Sequence, residues 1–390
     1  MKALKKVFGA IGDYFVNTDK ILWLLTICCT VYSALLLSSV ERAGGSFVKT
    51  QIVAAAIGLI LAIIISVIDY EYIAQQWWAW VIISLGLFAA VFLFGMTVTG
   101  TDDTAWIRLP GGLTFQPSEL VKIFFIVTFA KHLDILKSKD TLKTFLGVVS
   151  LLLHGAVPIL IIHVQGDDGS ALIFFFIMLI MAVVAGVQSR YFIFLGASLA
   201  VGLPLLWHFF LNDEHRNRIL ALFDLDSNAL TSYGYQQYQS KVSIASGELT
   251  GYGLGQGYRT GVGFVPEQEN DFIFSVAGEE LGFIGTMIIL LLLLLIIGKV
   301  FFIAIDARDN LGSYIAFGMF GLLASQTIIN IGMVVGLLPV IGITLPFFSA
   351  GGTSSMCLYF GIGLVQSVYM HKKNNEVIKL SYTRAERIKI

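Results

Sequence analysis

The strongest structural signal in the chain is the run MIILLLLLLII at positions 287–297, where ten of eleven residues are leucine or isoleucine. Similar apolar blocks recur along the 390 residues, which are 56% hydrophobic and only 13% charged. Soluble domains carry about 25% charged residues, whereas apolar runs of about 20 residues are typical of membrane-spanning helices. The composition therefore excludes an ordinary soluble enzyme and favours one polytopic membrane domain.

Ten stretches are long and apolar enough to be predicted transmembrane helices, which satisfy their own backbone polar groups. Their predicted bounds are 21–40, 52–68, 77–99, 117–131, 144–164, 169–187, 191–211, 271–298, 313–337 and 347–370. The fourth is expected to be short, with a polar start. We therefore expect an all-α polytopic protein of the cell membrane, with a single domain over residues 1–390.

Lys and Arg predict the orientation, because they are enriched in cytoplasmic segments. With ten helices and both termini in the cytoplasm, 17 of the 25 basic residues lie on cytoplasmic segments and seven on external ones. Residues 1–20 are predicted to be a cytoplasmic segment with an amphipathic helix over 4–15, and 371–390 a basic cytoplasmic tail. The net charge of −1 creates no field that would attract nucleic acid.

The longest segment outside the predicted helices is residues 212–270, between the seventh and eighth, which we expect to fold over the external face of the bundle. Its alternating glycines are Gly251, Gly253, Gly255 and Gly257. They lack the strand–helix context of a dinucleotide site, so we expect them to let the loop pass close to another surface. The cysteines lie in apolar runs and the histidines are scattered, so no metal cluster is expected.

The fourth helix starts with charged residues. Each of them is a functional candidate, because placing a charged group inside a membrane costs free energy. Pro117 suits the first helical position, and Glu119 and Lys122 share one helix face. They form either an ion pair that fixes helix packing or a site where Lys122 meets a pyrophosphate and Glu119 positions it. Trp106 and Arg108 lie just upstream on the external side.

A second polar set begins the eighth helix. Asp271 is expected in the first helical turn, either as a cap favoured by the helix dipole or as a general base for a sugar hydroxyl. Ser275 is expected one turn deeper on the same face. Glu279 and Glu280 follow two turns in, and at least one should point into the bundle.

Two further stretches admit more than one interpretation. The turn at 165–170 carries Asp167 and Asp168, which favours a solvated turn, although metal binding or loop docking is an alternative. The stretch 345–355 opens the tenth helix with small residues, which favour close helix packing or a backbone anion site at the helix start. Three helix starts thus gather polar groups on the external side.

Several of these stretches resemble the SEDS family (RodA, FtsW, SpoVE), over nearly the whole chain. The matching motifs are FQPSEL at 115–120, FVPE at 264–267, DFIF at 271–274, EELG at 279–282, NIGM at 330–333, GLLP at 336–339 and LPFFS at 345–349. The resemblance implies a peptidoglycan glycosyltransferase that polymerises lipid II outside the cytoplasmic membrane. It also implies a class B penicillin-binding protein as the crosslinking partner.

The resemblance assigns the family's essential aspartate to Asp271, and the Glu and Lys of its fourth helix to Glu119 and Lys122. The stretch Gln239-Ser240-Lys241 resembles the corresponding stretch of the RodA branch of the family, which implies a role in cell elongation. A division or sporulation paralogue is the alternative. The chain departs from the family's usual residues in three places. Gly166 and Asp168 replace Pro and Leu, Ala105 replaces Arg, and Glu269-Asn270 replaces His-Thr. The extra negative charge beside Asp271 favours its protonation or attracts a cation. No cofactor is evident, and a divalent cation (Mg or Mn) stays open.

Our leading hypothesis makes Asp271 the base that deprotonates the acceptor sugar and Lys122 a cation that meets the leaving pyrophosphate. The other candidates for substrate binding are Glu119, Arg108, Trp106, Arg216, Arg218, Lys241, Glu267, Ser275 and Ser349. A lipid II flippase or other transporter is the alternative from another class, in which Glu119, Lys122 and Glu279 or Glu280 would gate or couple transport. It is disfavoured because the cytoplasmic halves of the helices look apolar. A third hypothesis is a non-catalytic scaffold for a cell-wall assembly, which would tolerate substitutions at Asp271.

Overall fold

A computed structural model of the protein describes residues 14–40, 47–97, 104–108, 114–209, 213–223 and 232–372. In chain order its helices are α1 (Lys20–Val40), α2 (Phe47–Val67), α3 (Tyr70–Gln75), α4 (Trp77–Phe94), α5 (Pro117–Ser138), α6 (Phe145–Val164), α7 (Asp168–Ala185), α8 (Ser189–Phe209), α9 (Asp213–Leu220), α10 (Ser232–Ser246), α11 (Tyr258–Val262), α12 (Ile273–Ile305), α13 (Asn310–Val334) and α14 (Gly352–His371). Two short strands, β1 (Ile107–Arg108) and β2 (Thr114–Phe115), pair antiparallel before α5.

Eight of the described helices are long and apolar enough to cross a membrane, and the protein is a multi-pass membrane protein. Two other long helices, α5 and α14, are more polar. Most of the predicted N-terminal helix 4–15 and of the predicted tail 371–390 lies outside the described residues.

Five of the predicted helices have a bound that is wrong by five residues or more. The second, α2, begins at Phe47 and not at 52, because the polar residues 49–51 are helical. The third, α4, ends at Phe94 and not at 99, because Gly95 has an extended backbone (φ −61°, ψ 144°).

The fourth helix, α5, is not short but runs to Ser138, because a polar stretch with the Lys131–Asp134 ion pair (3.2 Å) continues the helix past its apolar part. The eighth, α12, begins at Ile273 and continues to Ile305. The tenth, α14, begins at Gly352 because Phe347 has a left-handed backbone (φ 66°), which a helix does not accommodate.

Helix α12 is broken at Gly282 (φ 64°, ψ −161°), and the loop at 248–253 fills the break. The amides of Tyr252 and Gly253 donate to the carbonyls of Glu279 (3.1 Å) and Glu280 (2.8 Å). Beyond the break, the amides of residues 283 and 284 donate to the carbonyls of residues 248 and 249, at 2.9 and 3.1 Å. The loop thus satisfies backbone groups that the break leaves without helical partners.

Glycines make this insertion possible, as the alternating pattern predicts for Gly251 and Gly257. A Cβ atom on Gly251 would lie 2.2 Å from the carbonyl oxygen of Glu280, and one on Gly257 would lie 2.9 Å from Cγ of the same residue. A Cβ on Gly282 would lie 2.4 Å from the amide nitrogen of Gly251. A side chain at Gly251 or Gly282 would collide with backbone atoms and push the loop out of the break, and one at Gly257 would displace the side chain of Glu280.

The centre of the bundle is α13, most of whose residues are buried, and it packs against α5, α7 and α12. Helices α14 and α2 approach closely: a Cβ on Gly363 would lie 2.7 Å from the Ala62 backbone. Small residues allow such contacts between membrane helices. The packing around α13 and between α14 and α2 thereby positions the turns that precede α5, α12 and α14.

Candidate active site

The start of α5 is docked on the turn before α7. Gln116 precedes the helix and Pro117 occupies its first turn, as predicted. The side-chain amide of Gln116 donates to Asp167 Oδ2 (2.8 Å), and the Ser118 hydroxyl donates to the same oxygen (3.2 Å). Asp167 Oδ1 accepts the amide of Ser170 (2.9 Å) and so caps α7. Asp167 is 7% exposed, so the interpretation of a solvated turn is wrong for this residue.

Glu119 and Lys122 form a buried ion pair one turn inside α5. Lys122 Nζ lies 2.7 Å from Glu119 Oε1, and their side chains are 2% and 7% exposed respectively. Both belong to the same helix, so the pair itself joins no two helices. Removing two charges from water costs several kcal/mol per ion, which makes the pair a candidate for chemistry.

Asp271 lies in the turn at 267–272, immediately before Phe272, the residue that precedes α12. The prediction that Asp271 occupies the first helical turn is therefore wrong. The turn is closed by the amides of Asn270 (3.1 Å) and Phe272 (3.2 Å), which both donate to the Glu267 carbonyl. Glu267 itself has a left-handed backbone (φ 53°) and an exposed side chain.

Two buried polar side chains hold the Asp271 turn from the other side. Asn330 of α13 donates its amide to the carbonyls of Asp271 (2.8 Å) and Ile343 (2.6 Å). The Ser349 hydroxyl donates to the carbonyl of Asn270 (2.6 Å) and accepts the amide of Leu345 (2.7 Å). Ser349, predicted to bind substrate, thus fixes the backbone beside Asp271.

The turns before α5, α12 and α14 meet at one end of the bundle. A Cβ on Gly169 would lie 2.4 Å from the carbonyl oxygen of Ile341, and one on Gly342 would lie 3.7 Å from Asp271 Oδ2. The Thr353 hydroxyl at the start of α14 donates to the carbonyl of Thr114 in β2 (3.2 Å). We name this end, formed by residues 104–108, 114–122, 165–170, 267–272 and 341–353, the site end.

Phe347 is a strained residue at the site end, because its left-handed backbone is unfavourable for a bulky side chain. Phe347 is 2% exposed, and side chains of two other helices hold the backbone around it. Ser33 of α1 donates to the neighbouring carbonyl of Phe348 (2.6 Å), and Gln51 of α2 reaches the Phe347 carbonyl (3.5 Å). Strain of this kind is concentrated at functional sites.

At least one of the two carboxylates inside α12 is predicted to point into the bundle. Glu279 and Glu280 are 0% and 1% exposed, and both accept hydrogen bonds from residues 255–260 of the long loop. Ser275 is fully buried and donates to the carbonyl of Phe272 (2.7 Å). The side chain of Lys241 in α10 packs against Gly336, because a Cβ atom on Gly336 would lie 2.0 Å from Lys241 Cε.

The remaining candidates differ in their surroundings. Arg216 donates to the carbonyls of Trp207 (2.9 Å) and His208 (3.1 Å) at the end of α8, while Arg218 is half-buried in α9. Arg108 is exposed on β1, at the site end. Trp106 is half-buried beside it, and its carbonyl accepts the amide of residue 96 (2.8 Å).

Sequence reasoning missed Arg259, which lies in α11 and whose side chain contacts α10. Its guanidinium donates to Ser243 Oγ (3.1 Å) and to Gln239 Oε1. It also missed the anchoring roles of Asn330 and Gln268. Asn330 lies within a family motif, which was the available signal. In the described part of the chain, no group of three or more His, Cys, Asp and Glu residues is arranged to hold a metal ion.

These features define a class: a multi-pass membrane protein with a buried ion pair and an acidic turn at one end of its helical bundle. The chain belongs to the family of cell cycle proteins that comprises FtsW, RodA and SpoVE, which it matches over residues 17–374. The family resemblance in the motifs is thereby confirmed.

Relatives match along nearly their whole length. The peptidoglycan glycosyltransferase MrdB of Escherichia coli K12 is 33% identical over 359 residues, covering 92% of this chain and 95% of MrdB. A probable peptidoglycan glycosyltransferase FtsW of Geobacter sulfurreducens is 34% identical over 360 residues, covering 90% and 94%.

Solved structures share the fold. A chain from work on the structural coordination of polymerization and crosslinking by a peptidoglycan synthase complex superposes with a TM-score of 0.79 and 26% identity, covering 92% of this chain and 99% of that chain. The rod shape determining protein RodA of Thermus thermophilus superposes with a TM-score of 0.67 and 25% identity, covering 92% and 98%.

Proposed function

We propose that this protein is a peptidoglycan glycosyltransferase that polymerises lipid II into glycan strands. One observation carries the proposal: the Asp271 turn and the start of α5 with its buried Glu119–Lys122 pair meet at one end of the bundle. The names of the MrdB and FtsW relatives support the same reaction.

In the proposed mechanism, the Asp271 carboxylate takes the proton of the acceptor GlcNAc 4-hydroxyl. The hydroxyl oxygen attacks C1 of the donor's terminal MurNAc, the bond from C1 to pyrophosphate breaks, and the configuration at C1 inverts. Undecaprenyl pyrophosphate leaves with its negative charge stabilised by Lys122, which Glu119 positions. Arg108, exposed at the site end, is a further cation for the leaving group.

The proposed topology has ten membrane-crossing helices, both termini in the cytoplasm, and the segment 212–270 outside. It is supported by the excess of Lys and Arg on the segments assigned to the cytoplasm. The site end then faces outward, where the sugars of lipid II are delivered.

A class B penicillin-binding protein is the proposed partner, in line with the solved complex that couples polymerization to crosslinking. Gln239-Ser240-Lys241 supports a RodA-like role in cell elongation. Relatives named MrdB and FtsW match at similar identity, so division is the alternative setting for the same chemistry. A requirement for a divalent cation is tested by comparing polymerisation in Mg²⁺, in Mn²⁺ and in EDTA. The proposed mechanism assigns no step to a cation.

One observation favours the transport alternative. His132 of α5 and His154 of α6 lie with their Nδ1 atoms 3.0 Å apart, and Thr128 and Ser150 contact the two rings. The part of these helices remote from the site end is therefore less apolar than it looks in sequence. A proteoliposome assay of lipid II translocation, with His132→Phe as the test variant, separates this function from polymerisation.

The deciding experiment is polymerisation of lipid II by purified protein, with and without a class B penicillin-binding protein. We expect Asp271→Asn to lower glycan formation at least 100-fold, because a general base contributes about 10²–10⁴-fold. Expression and membrane insertion should be unchanged. An active Asn variant refutes the base, and no product from the wild type under any partner condition refutes the function.

A further inference from the structure

The fully buried carboxylate of Glu279, two turns into α12, binds a different part of the chain. Its Oε1 accepts the amide of Arg259 (2.7 Å), and its Oε2 accepts the amide (2.9 Å) and hydroxyl (2.8 Å) of Thr260. Both oxygens of this buried carboxylate therefore accept hydrogen bonds from α11. Glu279 thereby fixes the first turn of α11 to α12.

Helix α11 in turn contacts the Asp271 turn. The side-chain amide of Gln268, which is 4% exposed, donates to the carbonyl of Thr260 (3.0 Å). Gln268 lies three residues before Asp271, between residues 267 and 272 that close the turn. A continuous chain of contacts therefore runs from Glu279 through Thr260 and Gln268 to the backbone that carries Asp271.

The neighbouring carboxylate provides a matched contrast. Glu280 is as deeply buried as Glu279, at 1% exposed. Its Oε2 accepts the amide of Gly255 (3.0 Å), in the loop before α11 begins. Both carboxylates hold the loop, but Glu279 is the one bonded to the residue that contacts Gln268.

We infer that Glu279 is a positioning residue for the proposed base Asp271, acting through Thr260 and Gln268. The inference rests on the proposed function. A glutamine at 279 keeps one accepting oxygen but turns an NH₂ group towards the amide of Arg259 or of Thr260. Since two donors repel, α11 shifts, and the Gln268 contact that sets the Asp271 turn is loosened.

The kinetic test compares Glu279→Gln, the matched control Glu280→Gln, Gln268→Leu and the double variant Glu279→Gln/Gln268→Leu in lipid II polymerisation. We expect Glu279→Gln to lower kcat about tenfold, with KM changed less than twofold, because a misplaced catalytic group affects turnover. Glu280→Gln should keep kcat within twofold. The double variant should be no slower than the worse single variant, since residues in one chain of contacts are not additive.

Hydrogen–deuterium exchange on the full-length proteins gives a readout that does not depend on activity. Glu279→Gln should speed exchange of the amides in 258–272, and Glu280→Gln that of 253–257. Equal kcat losses in the two variants, additive losses in the double variant, or unchanged exchange in 258–272 overturns the inference. An inactive wild type instead defeats the proposed function, and an active Asp271→Asn defeats the assignment of Asp271 as the base. In both cases the exchange result decides the contact chain.

Discussion

Two lysine–carboxylate pairs in this protein have similar distances but different positions. Lys122 and Glu119 are 2.7 Å apart within α5, with side chains 2% and 7% exposed. Lys299 of α12 and Asp19, which precedes α1, are 2.6 Å apart, with side chains 29% and 5% exposed. The second pair joins two parts of the chain, and the first does not.

The surroundings of Asp19 strengthen this contrast. Its carboxylate accepts the amide of Leu22 (2.8 Å), and its backbone exchanges two hydrogen bonds of 2.9 Å with the side chain of Gln366 in α14. The Lys299–Asp19 pair therefore ties α12 to a contact between α1 and α14. The difference teaches that burial of a charge does not reveal its role, whereas the elements it connects do.

The contrast predicts that the charges of α5 serve the reaction rather than the fold. We expect Lys122→Met to lower polymerisation about 100- to 1,000-fold, as for removal of one group that stabilises developing charge. The double variant Glu119→Gln/Lys122→Met leaves no unpaired buried charge. It should unfold at a temperature close to that of the wild type and remain inactive. Activity in the double variant would show that the pair is structural.

The second pair should behave in the opposite way. Lys299→Met leaves the buried Asp19 carboxylate without its cation, which we expect to lower the free energy of unfolding by about 2 kcal/mol, less than for a fully buried pair because Lys299 is partly exposed. Polymerisation per folded molecule should stay within twofold. Thermal unfolding in detergent and the lipid II assay measure the two effects. A loss of turnover at unchanged stability would contradict the assignment.

Asp167 tests how the start of α5 is held. Asp167→Ala removes the cap of α7 and the acceptor for Gln116 and Ser118, so we expect a loss of about 1 kcal/mol in stability and several-fold slower polymerisation. Asp167→Asn keeps an oxygen that accepts the Ser170 amide but replaces the one that binds Gln116. It should recover the stability and only part of the turnover. Equal turnover in both variants and the wild type would show that this docking does not orient Lys122.

The sequence predicts this site only in part, for a physical reason. Runs of apolar residues locate the helices, and isolated charges such as Glu119 and Asp271 stand out because they are costly in a membrane. The docking of Gln116 on Asp167 is harder to predict, because it depends on two turns 51 residues apart. An aspartate in a turn is ordinarily solvated, so composition alone favours the wrong interpretation.

The break in α12 shows the same limit more sharply. The contacts between 248–253 and 279–284 are made by backbone N–H and C=O groups, which every residue type except proline carries. The sequence signal is the absence of a side chain at Gly251 and Gly257, which predicts a close approach but not its partner. The role of Glu279 depends on that partner, so it emerges from the structure.

The smallest expected effects concern two arginines that sequence reasoning treats alike. Arg216 donates to the carbonyls at the end of α8, where a cation also interacts favourably with the helix dipole. Arg108 is exposed beside the start of α5. We expect Arg216→Gln to leave the KM for lipid II within twofold, and Arg108→Gln to raise it about fivefold, with a weaker effect at high salt because an exposed charge is screened. If Arg216→Gln has the larger effect on KM at equal folded amounts, α9 and not β1 carries the cation that meets the substrate.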